Sequence, residues 1–180
     1  MDERKFITIN INELNLATKR RKIFHKLEKL KPGLICMQEV HIKKQHEYLL
    51  KQQKLGKLFT ALAQCKKKSV VLYIKDTILA EQIYTYDDRR ILMVEIMDNN
   101  IKTLLIAIYA PNNNQEDFYR KLHMKIIELD YANICIMGDL SGIVNDKLDY
   151  KSQKTTKKIR KILPKSFFQM IDEINLKDVW

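Results

Sequence analysis

The chain has 180 residues, 46% of them hydrophobic, which suits a globular domain with a sizeable core and excludes a disordered chain. No apolar run reaches the roughly 20 residues of a membrane-spanning helix, and the charged start Met1–Phe6 lacks the apolar stretch of a secretory signal. The 33 basic and 22 acidic residues leave a formal net charge of +11, which points to a polyanionic partner, nucleic acid ahead of an acidic membrane surface.

In chain order, "KFITINI" (5–11) alternates polar and apolar residues and reads as a strand. Ile23, Phe24, Leu27 and Leu30 fall at helical spacing, which predicts a helix over Lys19–Lys31 with Thr18 as N-cap and Pro32-Gly33 as its stop. "LICMQE" (34–39) reads as a short buried strand and "HEYLLKQQK" (46–54) as a second helix. Five β-rich runs follow: "KLFTALA", "SVVLYIK", "TILAEQIYTY", "RILMVEIM" and "IKTLLIAIYA". Asp98-Asn99-Asn100 predicts a hairpin turn between the last two. Phe118, Leu122, Ile126 and Leu129 predict a helix over 115–129, with Glu116 and Asp117 at its positive end. "NICIMGD" (133–139) reads as a fully buried strand, and a basic helical segment spans 154–173 with a break near Pro164. Buried strands flanked by helices make this an α/β chain, read as one domain over 1–180. Cys36, Cys65 and Cys135 are far apart with no C-x-x-C, so they read as reduced thiols without disulfide partners in an intracellular protein.

Three of the strand-like runs end in polar groups: Asn10, Glu39 and Asp139. Ligand and catalytic groups gather at the carboxyl ends of such strands. A carboxylate just past an apolar run is partly desolvated and needs a cation or donors beside it. Two carboxylates, an amide and a basic surround suit a hard divalent metal and a phosphodiester. A single such residue reads as a strand cap facing water; three at matching strand ends read as a site.

"ITININ…N" (7–15), "CMQEVH" (36–41), "IYAPN" (108–112) and "IMGDLSG" (136–142), in this order and spacing, resemble the endonuclease/exonuclease/phosphatase superfamily. The likeness runs through the whole chain and is strongest to the apurinic-endonuclease-like domain of non-LTR, LINE-type retrotransposons. It implies a four-layered α/β/β/α sandwich of the DNase I-like type and cleavage of a DNA phosphodiester with Mg²⁺, or alternatively Mn²⁺. It implies that Glu39 binds the metal, that Asn10 supports the metal site, that Tyr109 addresses the scissile phosphate and that Asp139 orients or activates the attacking water. Asn12 and Asn112 are neighbours of these motifs and candidates for nucleic-acid contact. A nuclear location follows from the same resemblance.

The chain also departs from the family pattern. Ser141 stands where the family places an asparagine that donates to the phosphate, so it is a catalytic position with a shorter donor. Losing one preorganised donor typically costs about 10²–10³ in rate. Glu13 stands where a glycine is usual, and Ser69 and Arg89 occupy positions that are often glycine. Gly138 and Gly142 are expected to give the backbone room to turn and a phosphate room to approach. The family's later "Ser-Asp-His" segment has no counterpart before Trp180, and none of His25, His41, His46 and His123 matches its histidine. His41, two residues after Glu39, reads as a turn residue. The expectation is therefore a domain lacking its C-terminal strands, marginally stable or self-associating through an exposed sheet edge.

The segment 151–165 holds seven basic residues and no acid, including Lys151, Lys154, Lys157, Lys158, Arg160 and Lys161. "KRRK" (19–22) and "KKK" (66–68) add to it. Such clusters neutralise phosphates, and without interleaved aromatics they predict contact with the nucleic-acid backbone and little reading of bases. Three readings stand: a Mg²⁺-dependent DNA endonuclease of retrotransposon origin, a catalytically impaired relic that only binds nucleic acid, and a phosphatase of the same superfamily.

Overall fold

The computed structural model describes residues 5–64, 69–144 and 161–177. Two compact units divide the chain: one is Met1–Tyr109 with Ala132–Asp139, the other Ala110–Tyr131 with Leu140–Trp180.

The first unit holds two four-stranded sheets. One has the order β1-β2-β4-β3, from β1 (Phe6–Asn10), β2 (Leu34–Gln38), β3 (Lys57–Leu62) and β4 (Ser69–Ile74). The other has the order β5-β6-β7-β8, from β5 (Leu79–Thr85), β6 (Ile91–Asp98), β7 (Ile101–Tyr109) and β8 (Ile134–Asp139). β1 runs parallel to β2 and β8 parallel to β7; the remaining pairs are antiparallel.

Side chains of alternating strand residues explain the layering. Leu34 and Cys36 of β2 meet Val70 and Leu72 of β4 and, from the other sheet, Leu92, Val94, Leu105 and Ala107, so the sheets pack face to face. Ile35 and Met37 point the other way, onto Phe24 and Leu27 of α1 (Ala17–Leu30). Each such fully buried apolar side chain contributes about 1.5–3 kcal/mol. β2 is covered on both faces, which is why it reads as an unbroken apolar run.

The sequence expectations fail in identifiable places. α1 begins at Ala17, ahead of the four charges of Lys19–Lys22 and of its apolar stripe, with Leu16 as N-cap and no side-chain cap; Thr18 lies inside the helix. The segment expected to be helical at 46–54 forms 3₁₀ turns over Lys44–Leu50 and Gln53–Leu55, with a kink at His46. β8 is half-buried along its length and not fully buried, because among the described residues β7 is its one ladder neighbour. Its apolar run carries no mark of being the last strand. β1 closes the other sheet in the same way, and the two edge strands touch each other.

The hairpin at 98–101 forms as expected, with both central asparagines at positive φ. Gly138 is required by its setting: at φ 136° an added Cβ would lie 1.9 Å from the Ile108 carbonyl oxygen. The space it frees is filled by the neighbouring strand, where the sequence had suggested room for a phosphate. Gly142 makes room for the Leu163 side chain, which an added Cβ would meet at 2.7 Å.

In the second unit, α2 (Gln115–Leu129) packs on α3 (Lys165–Glu173). Tyr119 of α2 joins them by an edge-to-face contact with Phe167 at 5.0 Å, and its neighbour Phe118 packs edge-to-face on it at 5.1 Å. Glu116 accepts from the Ser166 backbone N–H at 3.3 Å. Of the basic helical segment expected over 154–173 with a break near Pro164, the part after the proline is α3, with Pro164 as its N-cap; 154–160 lie outside the described residues. Lys151, Lys154, Lys157, Lys158 and Arg160 lie outside the described residues, as does "KKK" (66–68).

Candidate active site

The first unit brings the carboxyl ends of β1, β2 and β8 together. Asn10 donates one amide N–H to Glu39 Oε1 at 2.9 Å and the other to Asp139 Oδ2 at 2.9 Å. Its carbonyl Oδ1 accepts from the Asn12 backbone N–H at 3.2 Å, which fixes the amide's orientation. The nitrogen faces the carboxylates and the oxygen faces the loop. A bridging amide gives each of two neighbouring carboxylates a donor, which offsets part of their repulsion.

Local backbone geometry aims these groups. Glu39 leaves β2 at φ 55°, a left-handed conformation that costs a non-glycine residue free energy. Its N–H donates to the Ser69 carbonyl at 3.2 Å, and its carbonyl accepts from the Glu13 N–H at 2.8 Å. Tyr109 is the register partner of Asp139 across β7 and β8. Burial pushes the Tyr109 phenol above its ordinary pKa, and its hydrogen bond to Glu39 pushes the same way; Arg90 opposes both.

Arg90 is the site neighbour that sequence reading missed. Its guanidinium lies 4.8 Å from the centre of the Tyr109 ring and donates to the Tyr109 carbonyl at 3.2 Å. Asp88 holds its other side at 3.6 Å, and its side chain is only 15% exposed. Arg89, flagged from the sequence, is exposed at φ 60°. Nothing in "DDRR" marks the second arginine above the first; the turn between β5 and β6 decides, with Arg89 at positive φ and the Arg90 carbonyl accepting from the Tyr109 N–H at 2.8 Å. His41, also at positive φ, places Nε2 3.9 Å from Glu39 Oε2.

The loop after β1 corrects the reading of "KRRK". Lys19 donates to the carbonyls of Ile11 at 2.9 Å and Asn12 at 2.8 Å. Arg20 donates to Leu14 at 2.8 Å and Asn15 at 3.1 Å. These two cations hold the loop that carries Asn12, while Arg21 and Lys22 face solvent. Asn12 itself is exposed at φ 45°.

The second unit carries the remaining candidates that are described. Ser141, at φ 52°, donates its hydroxyl to the Ala110 carbonyl at 2.6 Å, and its own carbonyl accepts from Gln115 Nε2 at 2.8 Å. The single hydroxyl proton is thus directed to the backbone. Asn112 is exposed in the loop before α2, and Lys161 is exposed with its carbonyl accepting from the Ile143 N–H at 3.2 Å.

Among the described residues, no three His, Cys, Asp or Glu side chains converge as an all-protein metal cage. The oxygens gathered at the strand ends are those of the Glu39 and Asp139 carboxylates, the Asn10 amide oxygen being turned to the loop. They fit a hard cation of the Mg²⁺ type, which takes one or two carboxylates and completes its shell with water and phosphate oxygens.

Comparison with solved structures defines the fold class first: the chain has a DNase I-like α/β fold of two sheets with flanking helices, shared with solved nuclease and phosphatase structures. In particular, it is similar to a 3′ phosphatase, NExo (D146N), from Neisseria bound to product DNA hairpin (TM-score 0.64, 14% identity, 94% of this chain and 69% of that one). It is similar to an AP endonuclease from Archaeoglobus fulgidus (TM-score 0.63, 13% identity, 94% and 68%). The endonuclease domain of TRAS1, a telomere-specific non-LTR retrotransposon, gives TM-score 0.58 at 14% identity, over 93% and 71%. The chain spans 46% to 65% of the length of the TDP2 structures it matches. No protein-family model matches the sequence.

Proposed function

We propose that the first unit carries the active site of a metal-dependent phosphodiesterase that nicks DNA, of the apurinic-endonuclease-like, retrotransposon-derived kind. The observation that carries this reading is the Asn10 amide joined to Glu39 and Asp139 at 2.9 Å each, which gathers the ends of three strands from two sheets. The fold likeness to nucleases supports it.

Glu39, supported by Asn10, would hold Mg²⁺ or Mn²⁺, which when bound offsets charge on the phosphate and the leaving oxygen. Asp139 accepts a proton from, and orients, the water that attacks in line. Tyr109 keeps its phenolic proton across the neutral range and donates it to a phosphate oxygen. Arg90 keeps a positive charge behind the Tyr109 ring. Asn12, Asn112 and Lys161, all exposed, contact the nucleic-acid backbone, as do Lys151, Lys154, Lys157, Lys158 and Arg160. The same reading puts the protein's work in the nucleus. Among the described residues no helix is long and apolar enough to cross a membrane.

One observation favours a second reading, a relic that binds nucleic acid without cutting it: the Ser141 hydroxyl is given to Ala110. Plasmid nicking separates the two. The first reading expects Mg²⁺-dependent conversion of supercoiled to open-circular DNA, abolished by chelator and by Glu39→Ala. No conversion by a folded protein that still retards DNA at low salt would leave only the second. Release of phosphate from a 3′-phosphorylated duplex, without nicking, would instead place the activity with the phosphatases.

A further inference from the structure

The outer face of α1 is uniformly basic. Arg21, Lys22, His25, Lys26 and Lys29 are all exposed. At 100° per residue they fall within one arc of about 140°, opposite the stripe of Phe24 and Leu27 that packs on the sheet. No acid lies in that arc: Glu28, the helix's one carboxylate, is turned aside to Lys54 at 3.5 Å. Among the described residues none of Arg21, Lys22, Lys26 and Lys29 has an ion-pair partner. Placing so many like charges on one helix destabilises it, so an anion that neutralises them gains that repulsion back on binding.

The helix also has a direction. It leaves the Asn10–Asn15 loop, pinned there by Lys19 and Arg20, and runs back to Pro32 at the other end of the sheet, since β1 and β2 are parallel. The basic face therefore begins beside the candidate active site and leads away from it for about 12 Å, the rise of eight helical residues.

We propose that this face is a second nucleic-acid contact surface, which binds the phosphate backbone of DNA flanking the segment held at Asn10, Glu39 and Asp139. Its direction rests on the nuclease reading of that cluster; the binding itself does not. An anionic membrane fits less well. A helix lying on a bilayer buries an apolar face in it, and the apolar face of α1 is already buried against β2 and β4.

The test is salt-dependent binding of the full chain to a fluorescent DNA duplex, read by anisotropy. Two triple variants of equal charge are compared: K22S/K26S/K29S on α1, and K5S/K51S/K75S at exposed lysines elsewhere. Each lost phosphate contact lowers the slope of log K against log salt by about 0.9. The α1 variant is expected to lose about 2 to 3 in slope and at least ten-fold in affinity at low salt, with the control variant close to wild type and all three melting alike. Equal weakening of both variants overturns the proposal, as does no binding by the wild type. Vesicles containing phosphatidylserine are tested in parallel. Loss of vesicle binding in the α1 variant with DNA binding unchanged overturns the proposal in favour of a membrane. If the wild type fails to nick plasmid while the α1 variant alone loses slope, the nuclease reading falls and this surface stands.

Discussion

Asn10 has two N–H groups and gives one to each carboxylate, so its removal takes one donor from Glu39 and one from Asp139. Asn10→Ala is expected to lower nicking about 10²-fold, the usual effect of removing one preorganised donor. Ser141 offers the opposite experiment. It sits at φ 52°, where asparagine is more comfortable than serine, and its hydroxyl is given to Ala110. Ser141→Asn should raise nicking by about ten-fold or more without lowering the melting temperature. No gain in rate would mean that the missing donor does not limit the reaction. Glu13 is strained further, at φ 85°. Glu13→Gly keeps the N–H that binds the Glu39 carbonyl and removes the steric cost, so the protein should gain about 1 kcal/mol, read as a melting point several degrees higher.

At the scale of elements, the β7–β8 ladder positions Asp139. Gly138 lets β8 approach β7 closely, and a methyl group there would sit 1.9 Å from the Ile108 carbonyl oxygen. Gly138→Ala should cost more than about 3 kcal/mol and carry Asp139 away from Asn10, so stability and nicking fall together. Gly142→Ala meets mainly the end of the Leu163 side chain and should cost less, about 1–2 kcal/mol. Equal losses in a denaturant titration would contradict this account of the ladder. The elements themselves were largely readable. The strands at 57–109 follow alternation and turn residues, and α2 runs from Gln115 to Leu129 as its apolar spacing predicted. The 3₁₀ turns at 44–55 were not, because helical spacing over so few residues does not distinguish 3₁₀ from α geometry.

Across the first unit, the space between the sheets imposes a pH dependence. Burial there pushes the Cys36 thiol up to about 12. The folded state favours the protonated thiol, whereas the unfolded chain ionises it near its ordinary value of roughly 8.5. The stabilisation is complete below that value and is lost as pH rises toward about 12. Melting temperature should therefore fall between neutral and strongly alkaline pH, less steeply in Cys36→Ala, and native Cys36 should resist alkylation that its unfolded form accepts. Of the four edge strands among the described residues, β1 and β8 lie side by side, with Phe6 52% and Ile9 38% exposed on β1. They predict association that grows with concentration. Salt should strengthen it by screening the charge of +11, and a monomer in sedimentation at high salt and high concentration would exclude it.

By itself the sequence determined the α/β class, the helix and strand order through most of the chain, and the three polar strand ends at Asn10, Glu39 and Asp139. Each of these is written locally, in the period of apolar residues and in where an apolar run stops. Tertiary structure alone decided that one amide joins both carboxylates and that Arg90, not Arg89, lies against Tyr109. It also decided that Lys19 and Arg20 hold a loop while their neighbours face solvent, and that β8 is an edge strand. The physical reason is the same in each case. A charge or an apolar run has the same local signature whatever it meets, and its partner lies tens of residues away in sequence.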